Sequence, residues 1–317
     1  MRSGREDGFT LIEVAIVTMV VGVLTTLIVQ SLADLARSQA YTQGQTRIAQ
    51  GADLVMRGIV RDVTFSSHVF SDGGVGDGYL SAMDYPVAEV APDSRLPLLT
   101  QRGYFDIDPA GELETGNLLF VARSQRSLLV DVSGGGTPDE RRVDTATFVI
   151  YSLNSKLPDG FDLSRWSSVP VARHKDIMGL ETVAQRTAAL TALYAADVRY
   201  SWDAGRPAEE GLFVITSSGQ ALALPVSAKI PTDPSQTRSG IISQKNAVIA
   251  PNGRVGGLNV PGYAEVTSAG FPGGFELKLD GPTSGKLLML RLVMMRGRAD
   301  SRANSAEVLR LVSCADG

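Results

Sequence analysis

The sequence predicts an α+β protein in which a long N-terminal helix packs against the antiparallel β-sheet of a globular head. Residues 9–29 form one apolar run, and apolar residues then recur with a helical period to about residue 66. Strand-like runs separated by turn residues follow, and the last two form a plausible hairpin. A helix followed by antiparallel strands is typical of this fold class.

The apolar run predicts a membrane-spanning helix with one unusual charge. At 1.5 Å per residue the helix spans about 31 Å, which matches the hydrocarbon core of a bilayer. Its one charged residue is Glu13, and a carboxylate within lipid is costly enough to be a functional candidate that needs a partner. Cleavage between Gly8 and Phe9 would supply that partner, because the new ammonium of Phe9 would lie one helical turn from Glu13.

The seven residues GFTLIEV, 8–14, resemble the class III signal of type IV pilins and type II secretion pseudopilins. The resemblance implies that a prepilin peptidase cleaves between Gly8 and Phe9 and N-methylates Phe9. It also implies that Glu13 forms an assembly salt bridge with the terminal amine of a neighbouring subunit. Arg2 and Arg5 precede the helix, so the N-terminus is expected in the cytoplasm. The chain is then expected to cross the inner membrane once, with its head in the periplasm, before it enters a filament.

The helix is predicted to continue beyond the membrane segment as an amphipathic helix. Its apolar residues recur at steps of three and four: Ile48, Ala52, Val55, Ile59 and Val63. Charged residues fall on the opposite side. The predicted organisation is a leader peptide at 1–8, a transmembrane helix at 9–30, an amphipathic continuation at 31–66, and a head at 67–317 with a loop-rich section at about 231–285.

The head is predicted to be built mainly from strands. Strand-like runs occupy residues 117–123, 127–132, 146–152, 196–202, 212–216, 221–226, 287–295 and 307–313. Between residues 164 and 193 the spacing of apolar residues favours a short strand and then a helical stretch. The loop-rich section is expected to contain either short strands or long loops.

Three segments of the chain resemble the larger minor subunits of the PilW and PulJ groups. They are RIAQGADLVMRGIVRDV, TFVIYSLNSKL and LTALYAADVRYSWDAG, and they occur in the order found in those groups. The resemblance implies a minor pilin or pseudopilin, a structural subunit of a type IV pilus or a type II secretion filament, in a tip or initiation complex. Its expected partners are the peptidase, the inner membrane, and other major and minor subunits.

The sequence offers little chemistry for an enzyme. The net charge of −4 gives no basic field for nucleic acid, and no spacing of His and Cys residues matches a zinc site. We expect no cofactor, and we place His68 at the exposed end of the helix and His174 on a polar loop. The alternative function is a membrane-anchored extracytoplasmic enzyme or ligand-binding protein with an uncleaved signal anchor.

One acidic run resembles the start of a calcium loop. Asp106, Asp108 and Glu112 supply oxygen ligands, and Gly111 stands at the sixth position of the loop. Ala110 replaces an expected ligand, and a hairpin turn with solvated acids is the preferred interpretation. The single cysteine, Cys314, follows an apolar strand pattern and is expected to be buried.

Overall fold

The structure is a computed structural model. It describes residues 10–72, 80, 94–105, 114–157, 160–198, 248–249, 254–255, 258–259, 274–282, 285–298 and 301–314. The chain divides into two compact units, Met1–Arg47 and Ile48–Gly317. The fold is α+β, with a long apolar N-terminal helix and antiparallel sheet strands, so the predicted fold class is confirmed.

Three helices and twelve strands occur in the part of the chain that the structure describes. The helices are α1 (Leu11–Thr64), α2 (His174–Met178) and α3 (Val183–Ala195). The strands are β1 (Ser66–Val69), β2 (Leu99–Thr100), β3 (Leu119–Asp131), β4 (Glu140–Leu157), β5 (Gly160–Ser167), β6 (Val171–Ala172), β7 (Val248–Ile249), β8 (Arg254–Val255), β9 (Leu258–Asn259), β10 (Phe275–Asp280), β11 (Lys286–Arg298) and β12 (Ser301–Cys314).

In the first unit, the described part of α1 is exposed almost throughout, although most of its first 25 positions are apolar or small. All side chains from residue 10 to residue 43 are exposed, and Leu11 is 87% exposed. The hydroxyls of Thr18, Thr25 and Thr26 each donate to the carbonyl four residues earlier, so they leave no unsatisfied donor. By length and composition α1 is able to cross a membrane.

In the second unit, one large sheet carries the fold. Ten strands pair in this sheet, and its main path runs β1-β3-β4-β5-β7-β11-β10-β2. Strand β12 pairs with β11, and β6 pairs with β4. Every pairing is antiparallel except that of β10 with β2. The strands β8 and β9 pair separately.

The last turns of α1 pack on one face of this sheet. The predicted stripe of Ile48, Ala52, Val55, Ile59 and Val63 is buried, as expected. These residues share a cluster with inward-facing residues of β3, β4, β10 and β11. Successive strand residues point to opposite faces, so Leu119 and Val121 join this cluster while Phe120 joins the cluster on the other face.

The far end of the β3–β4 hairpin has its own small core. There α2 and α3 cover Val130 and Val143 with the apolar side chains of Ile177 and Leu190. Helix α3 begins at a capping box, in which Thr182 and Gln185 bond each other's backbone N–H groups. The helical stretch predicted before residue 193 is therefore confirmed as these two helices.

Several predicted boundaries change. The helix ends at Thr64 rather than Ser66, and the strands predicted at 117–123 and 127–132 form a single strand, β3, that continues through a bulge between Ser124 and Ser127. The C-terminal hairpin is confirmed as β11 and β12. In the loop-rich section the described residues form short strands and the six-residue β10.

Three local predictions are wrong. His68 lies in β1, half-buried, with its ring edge-on to Phe70 at 4.7 Å between centroids, because the helix ends before it. His174 starts α2 instead of lying on a loop. Of the strand predicted at 196–202, residues 196–198 follow the end of α3 and are not a strand, since Asp197 has a φ of 58°; residues 199–202 lie outside the described residues. The strands predicted at 212–216 and 221–226 lie outside the described residues.

Candidate functional site: the first turn of α1

The first turn of α1 is built around a reciprocal contact between Thr10 and Glu13. The carbonyl of Thr10 accepts the first helical hydrogen bond, from the N–H of Val14 at 3.2 Å. Glu13 Oε2 accepts from the backbone N–H and the hydroxyl of Thr10, both at 2.9 Å, and the N–H of Glu13 donates to Thr10 Oγ1 at 3.4 Å. This is a capping box, which satisfies donors that the helix cannot satisfy itself.

Sequence reasoning assigned Glu13 to the assembly contact but missed the role of Thr10. The signal was present, because a threonine followed three positions later by a glutamate is the pattern of a capping box. Gly8 and Phe9, the predicted cleavage and methylation positions, lie outside the described residues. Thr10 is the residue next to Phe9, so the carboxylate of Glu13 is held against the backbone that immediately follows the predicted cleavage position.

The carboxylate of Glu13 retains the capacity to bind a cation. Both Thr10 donors use Oε2, and Oε1 has no hydrogen bond among the residues that the structure describes. A carboxylate can accept about four hydrogen bonds. The site can therefore hold an ammonium on Oε1 while the capping contacts persist, with the negative charge placed favourably in the first helical turn.

The head contains a second group of charges, centred on Asp62 in the last turn of α1. Asp62 is 1% exposed; its Oδ2 accepts from the Tyr151 hydroxyl at 2.6 Å and from Arg165 Nε at 2.7 Å. Arg123 Nη1 lies 3.1 Å from Oδ1. Burial, and then the negative charge of Asp62, raise the pKa of Tyr151, so its phenol stays protonated and continues to donate. This cluster ties the helix to three strands.

A third group lies across β10, β11 and β12. Arg291, 6% exposed, donates to Glu276 at 3.2 Å and to Glu307 at 2.7 Å. Burial raises the pKa of Glu276, although the charge of Arg291 opposes the shift. Glu276 on β10 is directly opposite Arg291, and Glu307 on β12 lies diagonally across from it, opposite Val293. Their arrangement joins neighbouring strands of the sheet.

The remaining candidate residues do not form a site in the described parts of the chain. Asp106, Asp108 and Glu112, the weak calcium candidates, lie outside those parts. Within them, no group of three or more His, Cys, Asp and Glu residues could hold a metal ion. Cys314 is 1% exposed at the end of β12, as its sequence pattern predicts.

Comparison with known proteins gives no relative. No family model, no curated protein and no solved structure matches this chain.

Proposed function

We propose that this protein is a minor pilin or pseudopilin, a structural subunit that a prepilin peptidase processes and that then enters a type IV pilus or a type II secretion filament. The observation that carries the proposal is the fixed register of Gly8, Phe9 and Glu13 at the start of an apolar helix. In this proposal the protein is anchored in the inner membrane with its head in the periplasm before assembly.

The first turn of α1 supports the proposal in a specific way. If Glu13 acted only as a helix cap, its second carboxylate oxygen would stay unpaired, and an unpaired charge is costly in lipid. Glu13 Oε2 is used by Thr10, and Oε1 is open in the described residues. The terminal ammonium of a processed neighbour would form an ion pair with this carboxylate, and pairing makes both charges tolerable in a membrane.

The N-terminus of the mature protein tests the proposal directly. In cells with an active prepilin peptidase we expect a chain that begins at Phe9 and carries one N-methyl group. Intact-mass or N-terminal peptide analysis of membrane-extracted protein measures this. The Gly8→Glu variant should remain uncut, because its side chain must enter a site that accepts glycine. Wild-type protein that still begins at Met1 would contradict the proposal and favour an uncleaved signal anchor.

The size of the head predicts that the subunit is rare in filaments. A compact unit of about 250 residues has a radius of gyration near 18 Å, against about 13 Å for a head of about 100 residues. Heads this large would crowd one another at every position of a helical filament, whereas a tip complex relieves the crowding. Quantitative mass spectrometry of sheared filaments should find the protein far below the major subunit, and a near-equal ratio would exclude the minor-subunit assignment.

A further inference from the structure

A polar cavity of about 200 Å³ lies beside the bulge in β3. The pairing of β3 with β4 is regular up to Ser124 and resumes at Ser127, so one extra residue is accommodated between them. Bulges of this kind redirect side chains and often occur beside functional sites. We call this space, which is lined by residues of β3 and β4 together with Ser67 of β1 and Arg173, the bulge cavity.

Three consecutive side chains of the bulge offer unused hydrogen-bond donors. Ser124, Gln125 and Arg126 line the bulge cavity and are exposed, and in the described residues none of their side chains has a hydrogen bond or ion pair. The bulge is held by its backbone instead. Thr145 Oγ1 donates to the carbonyl of Arg126 at 2.7 Å, and the N–H of Ser124 donates to the carbonyl of Phe65 at 2.9 Å.

The charge of the bulge cavity is positive. Its lining contains three guanidinium groups, those of Arg126, Arg142 and Arg173, and one carboxylate, that of Asp144. A hydrogen bond from Ser127 at 2.6 Å, and the nearby Arg142 and Arg173, lower the pKa of Asp144. The carboxylate is therefore ionised at neutral pH, and the lining carries two net positive charges.

Asp144 orients the guanidinium of Arg142 and does not serve as a cation ligand. It accepts from Arg142 Nε at 2.9 Å, and its backbone N–H donates to Asp176 Oδ2 at 2.8 Å. Because only Nε of Arg142 is engaged in the described residues, the terminal nitrogens of that guanidinium remain available. A metal ion in this position would face three arginines and a single carboxylate that they already neutralise.

We propose that the bulge cavity binds a dianionic tetrahedral oxyanion, phosphate or sulfate, either free or carried as the terminal group of a sugar-sized molecule. Two net positive charges match a dianion, and the planar fork of a guanidinium suits phosphate and sulfate oxygens. Ser124 and Gln125 supply neutral donors beside Arg126. The volume is below the roughly 300 Å³ at which sites for drug-sized ligands begin, so the ligand is small.

Calorimetric titration of the full-length protein in detergent at low salt tests the proposal. Inorganic phosphate and sulfate should bind saturably at one site, and chloride and glucose should not. Arg126→Gln should weaken phosphate binding by about tenfold or more, the effect of losing a hydrogen bond to a charged group. Glucose 6-phosphate that binds more tightly than phosphate would identify a sugar-borne group, and equal binding would identify the free anion; both results support the site.

Arg141→Gln is the matched control. Arg141 precedes Arg142 on β4 and is not among the residues lining the cavity; it pairs with Asp139 at the exposed surface. The control removes the same charge from a position outside the cavity. Phosphate binding should therefore stay within about twofold of wild type. Equal weakening by both variants, unchanged binding by a folded Arg126→Gln protein, or the absence of saturable phosphate binding would each overturn the proposal. The Ser124→Ala variant, which also removes a donor with no structural contact, should weaken binding by a smaller factor.

Discussion

Replacing Asp62 with alanine is expected to destabilise the head by about 3–5 kcal/mol, the cost of removing one partner from a buried ion pair. The carboxylate is 1% exposed and is contacted by Tyr151, Arg165 and Arg123. Its loss leaves a phenol and two guanidinium groups around an empty space, and Arg165 has a side chain that is only 18% exposed. Because the free energy of unfolding of a domain is about 5–15 kcal/mol in total, this one change removes a large share of it.

Asp53 provides the matched control on the same helix. Its side chain is 29% exposed and pairs with Arg57, 77% exposed, and with Arg310, 49% exposed. Exposed pairs contribute about 0–1 kcal/mol, so Asp53→Ala should be close to wild type. Denaturant unfolding of the detergent-solubilised protein, followed by the fluorescence of the chain's tryptophans, measures the stability of both variants. Equal midpoints for the Asp62 and Asp53 variants would show that the buried cluster does not hold the helix to the sheet.

Tyr151→Phe separates the contributions within this cluster. It removes only the hydroxyl that donates to Asp62 at 2.6 Å and leaves both arginines paired. A hydrogen bond to a charged group contributes about 1.5–3 kcal/mol. The expected loss is therefore smaller than for Asp62→Ala, and the order of the two variants follows from which charges remain paired.

The helix and the final hairpin could be predicted from sequence because their signals are local. The stripe from Ile48 to Val63 repeats every three or four residues, and each member is buried. Strands β11 and β12 are two largely apolar runs that are adjacent in the chain and separated by a polar loop. The pairing of β1 with β3 and of β10 with β2 joins segments far apart in sequence, and no local pattern encodes such a partner.

The candidate sites also differ in whether their contacts are local in the sequence. Glu13 was found because a carboxylate is unusual in an apolar run, and its capping partner is three residues away. Asp62 was not found, because Tyr151 and Arg165 lie 89 and 103 residues further along the chain. The side chain of Asp62 reads as one more polar residue near the end of an amphipathic helix. The bulge cavity was missed for a related reason, since the sequence predicts two strands and gives no sign that one strand continues through a bulge.

If the protein assembles as proposed, replacing Glu13 is expected to weaken filament assembly strongly without harming membrane insertion. Glu13→Val removes a charge that costs about 2.5–3.5 kcal/mol at the centre of a bilayer and less near its edge, so the protein should reach the membrane at least as well as wild type. Its incorporation into sheared filaments should fall by about tenfold or more, because the ammonium of a neighbour loses an ionised acceptor. Membrane fractionation and filament mass spectrometry measure the two steps separately.

Glutamine at the same position distinguishes assembly from helix capping. Gln accepts from the backbone at this position of a capping box as Glu does, so Glu13→Gln should keep the contact with Thr10 while losing the charge. Thr10→Val does the reverse, because it removes the hydroxyl that donates to Glu13 at 2.9 Å and keeps the carboxylate ionised. If Glu13 acts by pairing with an ammonium, Glu13→Gln assembles as poorly as Glu13→Val, and Thr10→Val assembles like wild type. If Glu13 acts only as a cap, Glu13→Gln assembles like wild type, and the pairing role is excluded even where the chain is cleaved after Gly8.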